Sequence, residues 1–141
     1  MGMWKQSATV GELNAMQQNS IASFLGIEFQ DIGTDFIVAT MPVNERTKQP
    51  FGILHGGASV VLSETLGSVA GVLCAEPGSV VVGLEVNANH LRSATDGEVT
   101  GVVRPLHIGR STQVWETHIS DQQGRKLCVS RLTVMVKAPS E

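Results

Sequence analysis

The sequence feature that most constrains the fold is a run from His55 to Ala75 that contains no proline and only one charged residue, Glu64. The run is too long and too apolar for an average strand of about five or six residues. Although it contains internal glycines and β-branched residues, we predict one buried helix. Pro77 follows directly, as expected just beyond a helix end.

The N-terminal part of the chain predicts short helical segments. Thr9 to Glu12 has the Ser/Thr-x-x-Glu form of a capping box, and Leu13 and Met16 follow at helical spacing. Ser20 is predicted to cap a further turn that extends to Leu25. The polar segment from Asn44 to Leu54 contains Pro50 and Gly52, which predict a loop.

The remaining segments read as strands. Residues 26–43 alternate around Gly33-Thr34-Asp35 and predict a β-hairpin. Thr95-Asp96-Gly97 and Gln122-Gln123-Gly124 predict hairpin connections, and His107 to Arg110 predicts a polar break. Four further strands are predicted, at about 79–92, 98–106, 112–119 and 126–136.

The order strand, strand, long helix and four strands predicts an α+β fold. One antiparallel sheet can wrap around the helix and bury it, and 141 residues suit a single domain spanning 1–141. The helix is more apolar than one sheet face can cover. We therefore expect part of it to contact a second copy of the chain.

Composition narrows the function classes. The net charge is −3 and the ten basic residues are scattered, which argues against a nucleic-acid partner. Cys74 and Cys128 lack metal-ligand spacing and predict buried thiols in a reducing compartment. The sequence shows no signal-peptide core and no membrane-length run of consecutive apolar residues. We expect a soluble, cytoplasmic protein with no membrane partner.

The segment from Lys48 to Gly57, together with Glu64 and the pair Gly67-Ser68, resembles the PaaI-like hotdog acyl-CoA thioesterases of the 4-hydroxybenzoyl-CoA thioesterase superfamily. Glutamine lies six positions before the histidine of the His-Gly-Gly triplet, glutamate nine after it, and serine four after the glutamate. The resemblance extends from Thr40 through most of the chain. Within the superfamily it points to the branch that contains menaquinone-pathway 1,4-dihydroxy-2-naphthoyl-CoA hydrolases and enterobactin-pathway proofreading thioesterases.

This resemblance implies a hotdog fold and a set of site residues. Glu64 would be the catalytic carboxylate, the Gly56 amide the oxyanion donor, and His55 a positioning residue. Gln49 would bind near the thioester carbonyl, and Ser68, four residues after Glu64, shares its face. His55 and Glu64 are about half a turn out of phase on one helix, so we expect each site to combine residues of two copies.

The substrate would carry coenzyme A, and neither a metal nor a separate cofactor is expected. The resemblance assigns coenzyme A contacts to two polar segments and to one glycine on the preceding strand. Arg92 and Arg110 could instead be solvated charges on strand edges. Gly67 and Gly71 are predicted to leave room for the acyl group, with Val69 and Leu73 lining its pocket. The candidate coenzyme A contacts are Gly83, His90, Arg92, Ser93, His107, Gly109, Arg110 and Ser111.

Several readings remain open on sequence alone. The first is hydrolysis of aromatic acyl-CoA thioesters, with Glu64 as nucleophile or general base. The alternatives are proofreading of a misacylated acyl or aryl carrier protein, a non-catalytic acyl-CoA binding module, and a hotdog dehydratase. For the assembly we expect a homo-oligomer, either a dimer that shares its active sites or a homotetramer built from such dimers.

Overall fold

The structure is a computed structural model that describes residues 2–140. Two short helices precede a hairpin, a long helix and four further strands, in the order expected from the sequence. The Thr9 capping box is present, because the Thr9 hydroxyl and the Glu12 side chain each accept a backbone N–H of the other residue. The elements are α1 Val10–Met16, α2 Ile21–Phe24, β1 Glu28–Ile32, β2 Ile37–Pro42, α3 Gly56–Cys74, β3 Val80–His90, β4 Glu98–Ile108, β5 Thr112–Ser120 and β6 Lys126–Lys137.

The six strands form one sheet in the order β1-β2-β4-β5-β6-β3, and all neighbouring strands are antiparallel. Helix α3 packs against this sheet, with Leu62 and Leu66 completely buried. Strand β5 alternates between buried and half-buried residues, and its Trp115 stacks on Trp4 at 6.2 Å between ring centroids. The predicted α+β arrangement of a sheet around one helix is confirmed.

Glycines let α3 approach the sheet closely. A Cβ atom added to Gly67 would lie 2.6 Å from Cδ2 of Leu132, and one added to Gly71 would lie 3.0 Å from Oε1 of Gln113. Both glycines therefore face the sheet. The expectation that they leave room for an acyl group is wrong, because strands β5 and β6 already fill that space.

Two local predictions also need correction. Strand β3 pairs with β6 and not with β4, so Thr95 to Gly97 belongs to a connection that crosses the sheet and not to a hairpin. The Ser20 side chain does not cap α2, because its hydroxyl donates to the carbonyl of Gln17. The connection at Gln122 to Gly124 does join a hairpin, formed by β5 and β6.

Strand β3 forms one edge of the sheet and is largely exposed. Val80, Val82 and Leu84 are 54%, 41% and 56% exposed. Leu84 is an extra residue where the register with β6 shifts between Gly83 and Glu85. An apolar strip therefore lies on an edge strand, where unpaired backbone groups can accept a further strand.

Helix α3 is long and apolar enough to cross a membrane by length and composition. Within this fold, 61% of its most apolar window is buried. The core helix of a globular fold has the same composition, so length and composition alone do not distinguish it from a membrane span.

Candidate active site

His55 caps the N-terminus of α3. Its Nδ1 atom accepts the backbone N–H of Gly57 at 2.7 Å. A Cβ atom on Gly57 would lie 2.9 Å from the imidazole ring, so the second glycine of the triplet allows the ring to fold back over the helix. Because Nδ1 accepts, the neutral ring carries its proton on Nε2, which makes that nitrogen a hydrogen-bond donor.

Gly56 is the first residue of α3, and its amide has no backbone acceptor among residues 2–140. Such an amide carries part of the positive end of the helix dipole. A Cβ atom on Gly56 would lie 2.9 Å from Nε2 of His90. His90 is thus placed against the start of the helix.

Gln49 lies on a tight loop beside this helix start. Lys48 forms an isolated β-bridge with Leu54, and the Gln49 N–H donates to the carbonyl of Ile53 at 2.9 Å. The Gln49 side-chain oxygen accepts the backbone N–H of Phe51. Its amide NH₂ group is therefore left to donate elsewhere.

Gln49, Gly56 and His90 open into one cavity of 370 Å³, which we call the donor cavity, and His55 lies beside it without being among its lining residues. It contains five residues predicted from the sequence and several that were missed. Ser59 is one of the latter, although its position three residues after Gly56 on the same helix face could have revealed it. The lining residues include Gln49, Gly56, Ser59, His90, Arg92, Ser93 and Leu127.

Glu64 opens into a different cavity of 320 Å³, which we call the carboxylate cavity. Ser68 lies in it as the i, i+4 spacing predicted, and so does Val69. A Cβ atom on Gly83 would lie 2.9 Å from Oε2 of Glu64. Gly83 therefore allows the carboxylate to lie against β3. The full lining is Met16, Gln17, Glu64, Thr65, Ser68, Val69 and Val72.

One chain thus holds two separate half-sites. Glu64 lies nine residues beyond His55, which is about 13 Å along the helix and half a turn around it. Glu64 lines the carboxylate cavity, whereas Gln49 and Gly56 line the donor cavity. The structure does not bring the carboxylate and the donors together within a single chain.

The second predicted coenzyme A cluster lies at the opposite end of α3. Gly109 and Arg110 line a cavity of 330 Å³ with Lys5 and Cys74. Arg110 is thus separated from Arg92 by roughly the length of α3, about 27 Å. The two clusters are not brought together within one chain.

The other members of this cluster surround Gly109. A Cβ atom on Gly109 would lie 2.6 Å from Nε2 of His107. The Ser111 carbonyl accepts the backbone N–H of Val136 at 2.8 Å.

Leu73, predicted to line the acyl pocket, lies instead in a cavity that it lines with Trp4 and Gln6. Among residues 2–140 no group of three or more His, Cys, Asp or Glu side chains is placed to hold a metal ion.

Comparison with known proteins places these features in a family. The family model described as the 4HBT thioesterase superfamily matches residues 51–128, which is more than half of the chain. The chain belongs to this superfamily. It is 57% identical over 134 residues to the Escherichia coli 1,4-dihydroxy-2-naphthoyl-CoA hydrolase, covering 95% of this chain and 98% of the relative.

Other similar proteins agree with the assignment to this thioesterase superfamily. A proofreading thioesterase, EntH, from Cronobacter turicensis is 51% identical over 134 residues, covering 95% of this chain and 98% of the relative. A crystal structure of a Haemophilus influenzae thioesterase superposes with a TM-score of 0.96 at 51% identity, covering 99% of this chain and 97% of that one. The chain therefore has the hotdog fold and is a thioester hydrolase, which sets aside the binding-module and dehydratase readings.

Proposed function

We propose that this protein hydrolyses aromatic acyl-CoA thioesters, of the hydroxybenzoyl or 1,4-dihydroxy-2-naphthoyl type, to the free acid and coenzyme A. The observation that carries the proposal is the pair of complementary half-sites at the two sides of α3. The donor cavity is lined by the helix-start amide of Gly56 and by Gln49 but by no carboxylate, and the carboxylate cavity is lined by Glu64 but by no residue of the helix start. Each half lacks what the other supplies.

The proposed site is completed by a second copy of the chain. The edge strand β3 carries the exposed apolar strip Val80, Val82 and Leu84 next to Gly83, against which Glu64 lies. Pairing β3 with β3 of a second copy would cover this strip and set two α3 helices side by side. Glu64 of one copy would then face Gly56 and Gln49 of the other. Two such dimers would make the homotetramer.

The donor half would stabilise the oxyanion that forms when the thioester carbonyl is attacked. The Gly56 amide and the Gln49 NH₂ group are free to donate, and His55 offers its Nε2 proton. Donors held in place before reaction lower the barrier without having to reorganise. Oriented N–H groups at a helix start are well suited to this role.

Glu64 would supply the other half of the reaction. Its carboxylate either removes a proton from an attacking water or attacks the carbonyl carbon directly and is later released by water. In both cases the carbon–sulfur bond breaks, and coenzyme A leaves as a thiolate that takes up a proton. Ser68, in the same cavity, would position the carboxylate or the water. Neither a metal nor a separate cofactor is part of this scheme.

Arg92 and Ser93 lie in the donor cavity and would contact the part of bound coenzyme A that extends from the thioester towards solvent. His90, which lies against Gly56, would contact the thioester end. The cluster of His107, Arg110 and their neighbours, at the far end of α3, would reach coenzyme A only if another copy of the chain brings it there. We propose a cytoplasmic location, where acyl-CoA substrates are made.

A second candidate substrate is an acyl or aryl group misloaded on a carrier protein. It is favoured by the 51% identity to a relative named a proofreading thioesterase. A carrier protein presents its acyl group on the same phosphopantetheine arm as coenzyme A, so both substrates would meet the same donor cavity. Measuring kcat/KM for the coenzyme A ester and the carrier-protein ester of the same acyl group shows which of the two substrates is preferred.

The proposal is tested by thiol release from a panel of aromatic and aliphatic acyl-CoA esters. The protein's own thiols should give little background, because Cys74 and Cys128 are buried and burial raises the pKa of Cys74 to about 11. We expect Glu64→Ala to lower kcat by about 10²- to 10⁴-fold, the range that a positioned acid or base contributes.

The control is Glu98→Ala, which removes an exposed carboxylate at the start of β4, outside both cavities. It should keep wild-type turnover. Near wild-type turnover of Glu64→Ala would disprove the assignment of the carboxylate, and a preference for aliphatic esters would disprove the aromatic substrate class.

A further inference from the structure

The carboxylate cavity has a second wall that does not come from α3. Met16, the last residue of α1, and Gln17, which follows it, line the cavity opposite Glu64 and Ser68. Neither residue belongs to the sequence motif from Lys48 to Ser68 that carries the predicted site residues. Their place in the site is set by how α1 packs, and no sequence spacing relates them to Glu64.

The Gln17 backbone is held in place while its side chain is free. Its N–H donates to the carbonyl of Asn14 at 3.1 Å, and its own carbonyl accepts the Ser20 hydroxyl. The side-chain amide makes no hydrogen bond to any of residues 2–140 and lines the cavity while only partly exposed. A fixed backbone with an unengaged donor and acceptor at its tip is a suitable recognition group.

The rest of the cavity divides into a reacting side and an apolar side. Glu64 and Ser68 lie on α3, where the proposed chemistry takes place. Val69, Val72 and Met16 supply apolar surface, and Met16 is 60% exposed in the single chain. If an aromatic ring packed against these side chains, the ring edge that points away from the thioester carbonyl carbon would lie near Gln17.

We propose that Gln17 selects acyl groups that carry a ring hydroxyl, by hydrogen bonding to that hydroxyl, and that Met16 covers the ring face. This inference rests on the proposed function, since it assumes that the acyl group enters the carboxylate cavity. A carboxamide can accept a hydrogen bond from a phenol or donate one to it. A ring without a hydroxyl leaves the amide unpaired against an apolar edge, which costs affinity.

The test compares kcat/KM for 4-hydroxybenzoyl-CoA and 1,4-dihydroxy-2-naphthoyl-CoA with that for benzoyl-CoA. In Gln17→Leu we expect the ratio of hydroxylated to unhydroxylated substrate to fall about 5- to 10-fold, the effect of one lost neutral hydrogen bond. In Met16→Ala both substrates should lose kcat/KM together, because a ring face is common to both. Gln18→Leu, an exposed neighbour outside the cavity, is the matched control and should keep the wild-type ratio.

Three results would overturn this inference. If Gln17→Leu leaves kcat/KM unchanged for both substrates, Gln17 does not contact the hydroxyl. If it lowers kcat/KM equally for both substrates, Gln17 affects only the shape of the pocket. A ratio that falls in Thr65→Val and not in Gln17→Leu transfers the contact to the other unassigned polar residue of the cavity. Failure of the proposed function is seen separately, as wild-type protein that releases no thiol from any aromatic ester.

Discussion

The residues of the His-Gly-Gly triplet act differently although they are adjacent. His55 provides the cap of α3, Gly56 provides an amide that has no backbone acceptor within residues 2–140, and Gly57 provides the space into which the His55 ring folds. The cap fixes the ring, and the ring's acceptor nitrogen is used by the helix. Only Nε2 of His55 is left to meet a substrate.

This division predicts that stability and activity can be separated at His55. His55→Ala removes both the cap and the Nε2 donor, so it should cost about 1 kcal/mol of unfolding free energy and also lower kcat. His55→Asn keeps a side-chain acceptor at the cap position and should recover the stability, while turnover stays reduced by about tenfold or more. Urea denaturation and thiol release measure the two effects. If His55→Asn restores turnover together with stability, the histidine acts only through the helix cap.

Site residues that belong to recognisable motifs in the chain could be identified from the sequence. Gln49, Gly56 and His90 share one cavity. Met16 and Gln17 could not be predicted, because they reach Glu64 only through the packing of α1 in the folded chain. The spacing of Leu13 and Met16 predicts a helix and gives no information about what that helix packs against.

At the scale of elements, Gly67 and Gly83 both allow close approaches between α3 and the sheet. Gly67 allows α3 to pack closely against β6, whose Leu132 is only 2% exposed. Gly83 of β3 lies near the same leucine, and it leaves room for the Glu64 carboxylate. The two glycines relieve similar close approaches, but one neighbour is a core side chain and the other a partly free acid.

The same change at these two glycines should therefore have opposite consequences. Gly67→Ala forces a buried leucine to move, and we expect it to cost about 1 to 2 kcal/mol of unfolding free energy. Gly83→Ala only pushes aside the end of a flexible side chain, so stability should change little while kcat falls as Glu64 leaves its position. Thermal denaturation and turnover of the two variants, measured side by side, check this. Equal stability losses with unchanged turnover in Gly83→Ala would contradict the proposed role of Gly83.

Helix and strand positions were predictable because they depend on local patterns, whereas the strand order was not. The long apolar run begins and ends within a residue of α3, and β4 begins at the predicted residue, Glu98. The pairing of β3 with β6 joins residues more than 35 positions apart in the chain, such as His90 and Cys128. Turn residues at Thr95 to Gly97 look like a hairpin in isolation, and only the complete sheet shows that β3 has its partner elsewhere.

At the scale of the whole molecule, the main consequence is that a single chain should be inactive. Glu64 and Gly56 line separate cavities, about 12 Å apart along one helix, and the proposed reaction needs both. The exposed strip on β3 gives the surface through which a second copy can supply the missing half. Sequence could suggest this sharing from helical phase, but the separation of the cavities is a property of the folded chain.

Mixing two inactive variants tests this arrangement directly. Glu64→Ala lacks the carboxylate and Gln49→Ala lacks a donor, so each alone should show little turnover. In a mixed dimer, the Glu64 of one chain faces the Gln49 of the other, and one of the two sites is complete. After unfolding and refolding an equal mixture, we expect about a quarter of wild-type activity, since about half of the dimers are mixed and each has one working site. Native mass spectrometry of the mixture confirms that chains have exchanged. Exchange without recovered activity would place each site within one chain and would refute the shared site, even if Glu64 remains essential.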